Sequence, residues 1–135
     1  MAESIFTRIV RGELPSHKVW EDDAFFAFLD INPVKAGHTL LIPKKEVDSI
    51  WDLDEATYTA LWQRARLLAG PICAAMKAVR TAIVVEGLAV PHVHVHLIPI
   101  FQTMDIDPRN HKAASSEELA PVAEAIRHAI AKAGL

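Results

Sequence analysis

The sequence predicts an α+β fold, a five-stranded, mostly antiparallel sheet with helices packed on one face. Three observations carry that reading. Short stretches rich in Val, Ile, Leu and Phe recur along the chain, each bounded by Pro, Gly or Asp. Apolar residues at helical spacing run from Leu61 to Val79, and again from Leu119 to Ile130. His92, His94 and His96 alternate with Val93, Val95 and Leu97, the period-two pattern of a strand with unlike faces.

Ile5, Phe6, Ile9 and Val10 recur at helical spacing, which predicts a short N-terminal helix ending near Gly12. Pro15 and Ser16 read as a turn. Lys18–Glu21 is a first strand, Asp22-Asp23 a turn, and Ala24–Leu29 a second, aromatic-rich strand paired with it as a hairpin. Asp30–Gly37 is a loop punctuated by Pro33 and Gly37, and Thr39–Ile42 is a third strand stopped by Pro43. Asp52-Leu53-Asp54-Glu55 fits a capping box in which Asp52 accepts from the amides of the first turn. The long helix that follows carries Leu61, Ala65, Leu68, Ile72, Met76 and Val79 on one stripe, and Gly70-Pro71 predicts a kink or bend in it.

Ala82–Val85 is the fourth strand, and the histidine stretch, fenced by Pro91 and Pro99, is the fifth. From Phe101 to about Ala114 the chain reads as irregular. Ser115 or Ser116 then caps a C-terminal helix with Leu119, Val122, Ala123, Ile126 and Ile130 on one face and Gly134 as its stop. That face covers either the chain's own sheet or a partner subunit.

At 135 residues the chain reads as one domain, 1–135, with its core in about residues 4–100 and an irregular segment and helix in about 101–135. Hydrophobic residues make up 51%, yet no apolar run approaches the roughly 20 residues that span a bilayer. The N-terminus lacks the basic, apolar, small-residue order of a signal peptide, so a cytoplasmic protein is expected. Cys73 is the only cysteine, which excludes an intrachain disulfide and a cysteine-based zinc knuckle. A net charge of −3 with scattered basic residues argues against duplex nucleic acid but permits a single nucleotide, which needs only local donors.

The histidine row has three readings. It can be a polar sheet surface, a His-x-His zinc site, or a histidine nucleophile whose imidazole neighbours donate to phosphate oxygens. Residues two apart on a strand lie roughly 6.6 Å apart, which spreads the rings along a row.

His92-Val93-His94-Val95-His96-Leu97-Ile98-Pro99 resembles the signature of the histidine-triad (HIT) superfamily of nucleotide-binding proteins, hydrolases and transferases. Two further stretches resemble that family in order and spacing. They are Ile5–Pro15, and Phe28–Pro33 followed by Gly37–Lys45. The resemblance implies the five-stranded HIT sheet, usually paired as a homodimer, acting on a purine nucleotide or nucleoside phosphoramidate without a cofactor.

It implies a role for each site residue as well. His94 would attack the α-phosphorus of a nucleoside phosphoramidate or (di)nucleoside polyphosphate. The nucleotidyl-histidine so formed would pass to water or another acceptor. Its other ring nitrogen would need an acceptor, a backbone carbonyl in the family. His96 and His38 would contact phosphate oxygens, His92 would position the row, and Asp30 would accept from the ribose hydroxyls. Ile5, Phe6, Ile9, Phe28, Leu29 and Ile31 would wall the base pocket, and the backbone around Gly87 would face phosphate.

Three departures qualify the resemblance. Many members carry Gly-Gln-Ser-Val or Gly-Gln-Thr-Val before the triad, where this chain has Gly87-Leu88-Ala89-Val90. Losing one preorganised donor commonly costs about 3 kcal/mol of transition-state stabilisation, about a hundredfold in rate. Slower turnover, or a nucleotide-binding module with weak or no catalysis, is the alternative that follows. Many bacterial members hold zinc with Cys-x-x-Cys near the start and a His after the lysine pair, where this chain has Ser4, Thr7 and Glu46. No metal is therefore expected there, and a metal-dependent hydrolase is the third reading. Ile100 stands where relatives often place an arginine.

Overall fold

Phe25–Leu29 and Thr39–Pro43 are apolar at almost every position, and both strands are buried along their whole length. Such runs sit in the middle of a sheet covered on both faces. In the computed structural model, which describes residues 3–135, they are β2 and β3. β1 (Lys18–Glu21), β4 (Arg80–Val84) and β5 (Val95–Ile100) complete a sheet of order β1-β2-β3-β5-β4, antiparallel at every pair. The β2–β3 register pairs Leu29 with Thr39, which brings Asp30 beside His38 just beyond the ladder. The Asp30 amide donates to the His38 carbonyl at 3.0 Å.

Helix α1 (Ile5–Val10) is capped by Ser4, whose hydroxyl accepts from the Thr7 amide. Helix α2 (Glu55–Met76) is capped by Asp54, which accepts from Thr57. Asp52 instead closes a short 3-10 turn, Ile50–Asp52, so the expected cap shifts by two residues. The Gly70-Pro71 pair, where a kink or bend is expected, lies inside α2. α2 runs through Pro71 without a break. An internal proline costs about 3 kcal/mol, but Leu61, Leu68 and Ile72 are all fully buried. Each such side chain contributes about 2 kcal/mol, so burial outweighs the lost bond. Val79, expected on the stripe, lies beyond the helix and is exposed, because Lys77 ends α2 in a left-handed conformation.

Helix α3 (Ser116–Lys132) begins at a reciprocal capping box between Ser115 and Glu118. Its Leu119, Ala123, Ile126 and Ile130 join the α2 stripe and the sheet in one core, so the C-terminal helix covers its own chain. α1 lies on the opposite face, where Phe6 packs with Phe26, Phe28, Leu40 and Ile42. The expectation that all helices share one face is corrected accordingly. The short α1 carries too few apolar residues to add to the main core, and its one buried side chain seats over the triad side of the sheet.

The limits of two strands also move. β4 starts at Arg80 and ends at Val84, and β5 starts only at Val95. His92 and His94 therefore precede the ladder, while Pro99 lies within it, opposite Thr81. The fence expected at Pro99 fails because a proline is tolerated where the partner does not need its amide.

Candidate active site

Gly37 turns the loop into β3 with φ +95°, a left-handed conformation that only glycine adopts without strain. The turn delivers His38 into the sheet, buried against β5. Its two nitrogens have fixed partners. The Val34 amide donates to Nδ1 at 3.2 Å, and Nε2 lies 2.9 Å from Nδ1 of His96. Burial pushes the His38 pKa down to about 4, against the pull of the Asp30 carboxylate 3.6 Å away. The ring is thus neutral near pH 7. Because Nδ1 accepts, the proton sits on Nε2, which donates to His96.

That donation sets His96 in turn. Burial lowers its pKa, with His94 adding repulsion, so it is also neutral, and its Nδ1 accepts from His38. Its proton sits on Nε2, the nitrogen with no partner within the described residues. His94 is buried, with ring centroids 5.2 Å from His96 and 5.2 Å from Phe6, both edge-on. Its Nδ1 lies 2.7 Å from the carbonyl of His92. A carbonyl only accepts, so Nδ1 carries a proton, and in the neutral ring Nε2 is the nitrogen with the lone pair. Adjacent rings thus present a lone pair on His94 and an N–H on His96.

Beside them lies a cavity of about 520 Å³ with mostly apolar walls. Ile5, Phe6, Ile9, Phe28, Leu29 and Ile31 all line it, with Asp30 as its one acidic group and His94 and His96 at its end. One Asp30 oxygen accepts from the Asn32 amide at 2.8 Å. An adjoining cavity of about 250 Å³ shares Asp30, His94 and His96 and adds His38, Glu86, Pro108 and His111. Gly87 lines neither. It stands at φ +81° on a third cavity, of about 480 Å³, with Trp51, Trp62 and Leu88, which reaches His94 from the other side.

The HIT domain model matches residues 11–103, more than half of the chain. The chain belongs to the HIT family. An uncharacterized HIT-like protein of Borreliella burgdorferi is 37% identical to it over 113 residues, covering 76% of this chain and 78% of that one. The adenosine 5'-monophosphoramidase of Saccharomyces cerevisiae is 36% identical over 103 residues, 73% of this chain and 63% of the relative. Among solved structures, a Hit-like protein from Bartonella henselae superposes with TM-score 0.86 at 32% identity, covering 94% and 96% of the two chains.

In this HIT protein the place where many bacterial members hold zinc has a different donor set. Ser4, Thr7, Glu46 and His92 come together there. Zinc at such sites takes thiolates and imidazoles, whereas these residues offer two hydroxyls, one carboxylate and one ring. Both nitrogens of that ring are engaged, Nδ1 with Ser4 Oγ and Nε2 with the Pro43 carbonyl, each at 2.7 Å. The residues do not fit a structural zinc. Asp30, His38 and His96 also bring three ligand-type atoms within 4.8 Å, but the two rings are hydrogen-bonded to each other.

Sequence reasoning missed several lining residues of this HIT site. Leu14, Pro15 and Leu40 border the larger cavity, beside Ala89 and Val90 of the run already singled out before the triad. Ile106, Pro108 and His111 border the smaller one from a segment that reads only as irregular. That segment is anchored by Asp105, whose carboxylate accepts from the Phe101 and Gln102 amides. The Lys112 and Ala114 amides tie its end to the Pro33 and Ile31 carbonyls. Pairing between residues so far apart leaves no local pattern in the sequence.

Proposed function

We propose that this HIT protein is a nucleotide phosphoramidase or hydrolase working through a nucleotidyl-histidine intermediate on His94. The observation that carries this reading is the pair of hydrogen bonds that sets complementary tautomers on two neighbouring rings. Nε2 of His94 bears a lone pair because Nδ1–H is committed to the His92 carbonyl, and Nε2 of His96 bears a proton. A nucleophile beside a hydrogen-bond donor is what displacement at phosphorus requires.

In the first step the His94 lone pair forms an N–P bond to the α-phosphorus as the bond to the amine or phosphate leaving group breaks. His96 donates to a phosphate oxygen as charge builds. In the second step water forms a P–O bond, the P–N(His94) bond breaks, and the lone pair returns to Nε2. An amine leaving group takes up a proton from solvent as it departs in the first step, and the attacking water gives one back to solvent in the second, so the overall reaction adds hydroxyl to phosphorus and a proton to the leaving group. The base and ribose occupy the 520 Å³ cavity, with Asp30 accepting from the ribose hydroxyls, and phosphate and leaving group occupy the 250 Å³ one. His38 acts through His96, since both its nitrogens are engaged within the chain. The yeast relative, an adenosine 5'-monophosphoramidase, supports an adenosine phosphoramidate as the first substrate to try. A homodimer belongs to the same proposal. β4 is an edge strand, and exposed Ile83, Trp62 and Leu88 lie close to it.

One observation favours a second reading, a nucleotide-binding protein with little turnover. Ala89 lines both cavities and Leu88 points to solvent, so that loop offers the phosphate no side-chain donor. Hydrolysis of an adenosine phosphoramidate separates the two. Wild type is expected to turn over, and His94→Ala to lose at least about a thousandfold in kcat while still binding AMP. No turnover by wild type, with AMP bound, selects the binding reading. Equal turnover by the variant removes His94 as nucleophile.

A further inference from the structure

We propose that Glu46 and Ser4 are positioning residues of the triad, forming a metal-free clasp that locks the His92 ring and carbonyl and thereby the tautomer of His94. The proposal rests on the nucleophile role given to His94 above. The shortest contacts assign the protons of the clasp, the Ser4 hydroxyl lying 2.7 Å from His92 Nδ1 and 3.4 Å from Thr7 Oγ1. Nε2 of His92 faces the Pro43 carbonyl, which only accepts, so that nitrogen carries the ring's proton. Burial disfavours the charged ring, so Nδ1 keeps a lone pair and the Ser4 hydroxyl donates to it at 2.7 Å. The same hydroxyl oxygen accepts from the Thr7 amide at 3.1 Å. Glu46 Oε1 then gathers the two remaining donors, the Ser4 amide and the Thr7 hydroxyl, each at 2.7 Å.

The clasp joins segments that are distant in sequence. Ser4 and Glu46 are 42 positions apart, and Ser4 and His92 are 88 apart. It closes the N-terminus of α1 onto the end of β3 and the start of the triad. Phe6, the second residue of α1, stands edge-on to His92 at 5.8 Å and to His94 at 5.2 Å. Release of Ser4 frees the His92 ring to rotate and shifts the carbonyl that holds His94 Nδ1–H. A proton that moves to Nε2 of His94 occupies the lone pair needed for attack. Glu46 is exposed at the surface, so the device is fastened from outside and reaches the nucleophile through two hydrogen-bonded groups.

The test compares wild type, Ser4→Ala, Glu46→Ala and Glu46→Gln in two ways. One is steady-state hydrolysis of an adenosine phosphoramidate, and the other is nitrogen NMR of the histidine rings. Both alanine variants are expected to lose about tenfold to a hundredfold in kcat, as a misplacement of about 1 Å does, with KM little changed. Glu46→Gln, whose amide oxygen still accepts both donors, is expected to keep wild-type kcat. The spectra are expected to show His92 Nδ1 bare and His94 Nδ1 protonated in wild type, and mixed tautomers of His94 in the alanine variants. The NMR arm needs no turnover, so an inactive wild type overturns the nucleophile reading while the clasp is still judged on tautomers. If Ser4→Ala does not fold, the exposed Glu46→Ala carries the comparison. Unaltered tautomers and kcat in Glu46→Ala overturn the proposal, as does a wild-type melting temperature that falls on chelation.

Discussion

Burial keeps His38 neutral near pH 7 despite an acidic oxygen 3.6 Å away, and this has a consequence for stability. Its pKa is about 4 in the folded chain and 6.5 ordinarily. As pH falls through 6.5, the unfolded chain takes up a proton on this ring and the folded chain does not. Stability therefore falls with pH below about 6.5 and levels off below about 4. The contribution amounts to at most about 2 kcal/mol at pH 5. His92 and His96, also lowered by burial, act in the same direction. Denaturant titrations between pH 7 and pH 5, above the ordinary range of the carboxylates, are expected to show this slope, and His38→Gln to make it shallower.

Asp30 gives a second prediction at the same scale. Wild type is expected to bind AMP about tenfold more tightly than its 2'-deoxy analogue, the worth of a hydrogen bond to a charged acceptor. In Asp30→Ala that ratio should collapse toward one by calorimetry. These residues were singled out in the sequence through the resemblance to the HIT family, with Asp30 eight positions before His38 and the triad at strict alternation. Their proton positions were not legible there. They follow from the Val34 amide and the His92 carbonyl, backbone groups whose direction no side-chain pattern encodes.

Among elements, the turn at Gly37 is the most constrained. A Cβ there would stand 2.6 Å from Met76 Cγ and 2.9 Å from Pro99 Cγ, besides the strain of φ +95°. Gly37→Ala is expected to cost about 1–3 kcal/mol in chemical denaturation. It should also lower kcat, because His38 follows directly. Local pattern located every strand and helix to within a few residues, and failed where long-range packing decides. Pro71 reads as a kink or bend because its local cost is visible in sequence, while the buried stripe of α2 that offsets that cost is a property of the assembled core. The histidine row reads as one strand by alternation, yet pairing with β4 ends at His96 and with β3 at Val95, and the Val93 amide donates to the Val47 carbonyl instead.

At the scale of the whole molecule, the sheet ends on β4, an edge strand of five residues next to exposed apolar side chains. Unpaired edges and apolar patches of this kind invite a second chain. The proposed homodimer is expected to sediment at twice the chain mass, with Ile83→Glu shifting it to monomer. A monomeric wild type would remove the dimer from the proposal. No helix among the described residues is long and apolar enough to cross a membrane.

The strap from Phe101 to Ala114 crosses back to stand beside the histidines, contributing Pro108 and His111 to the smaller cavity. Those residues take no part in fixing any ring's protonation. Under the proposed function, variation in the strap is expected to retune which leaving groups enter while the proposed nucleophile stays untouched. The fit of the leaving group and the breaking of its bond would then lie in separate stretches of the chain, free to diverge at different rates.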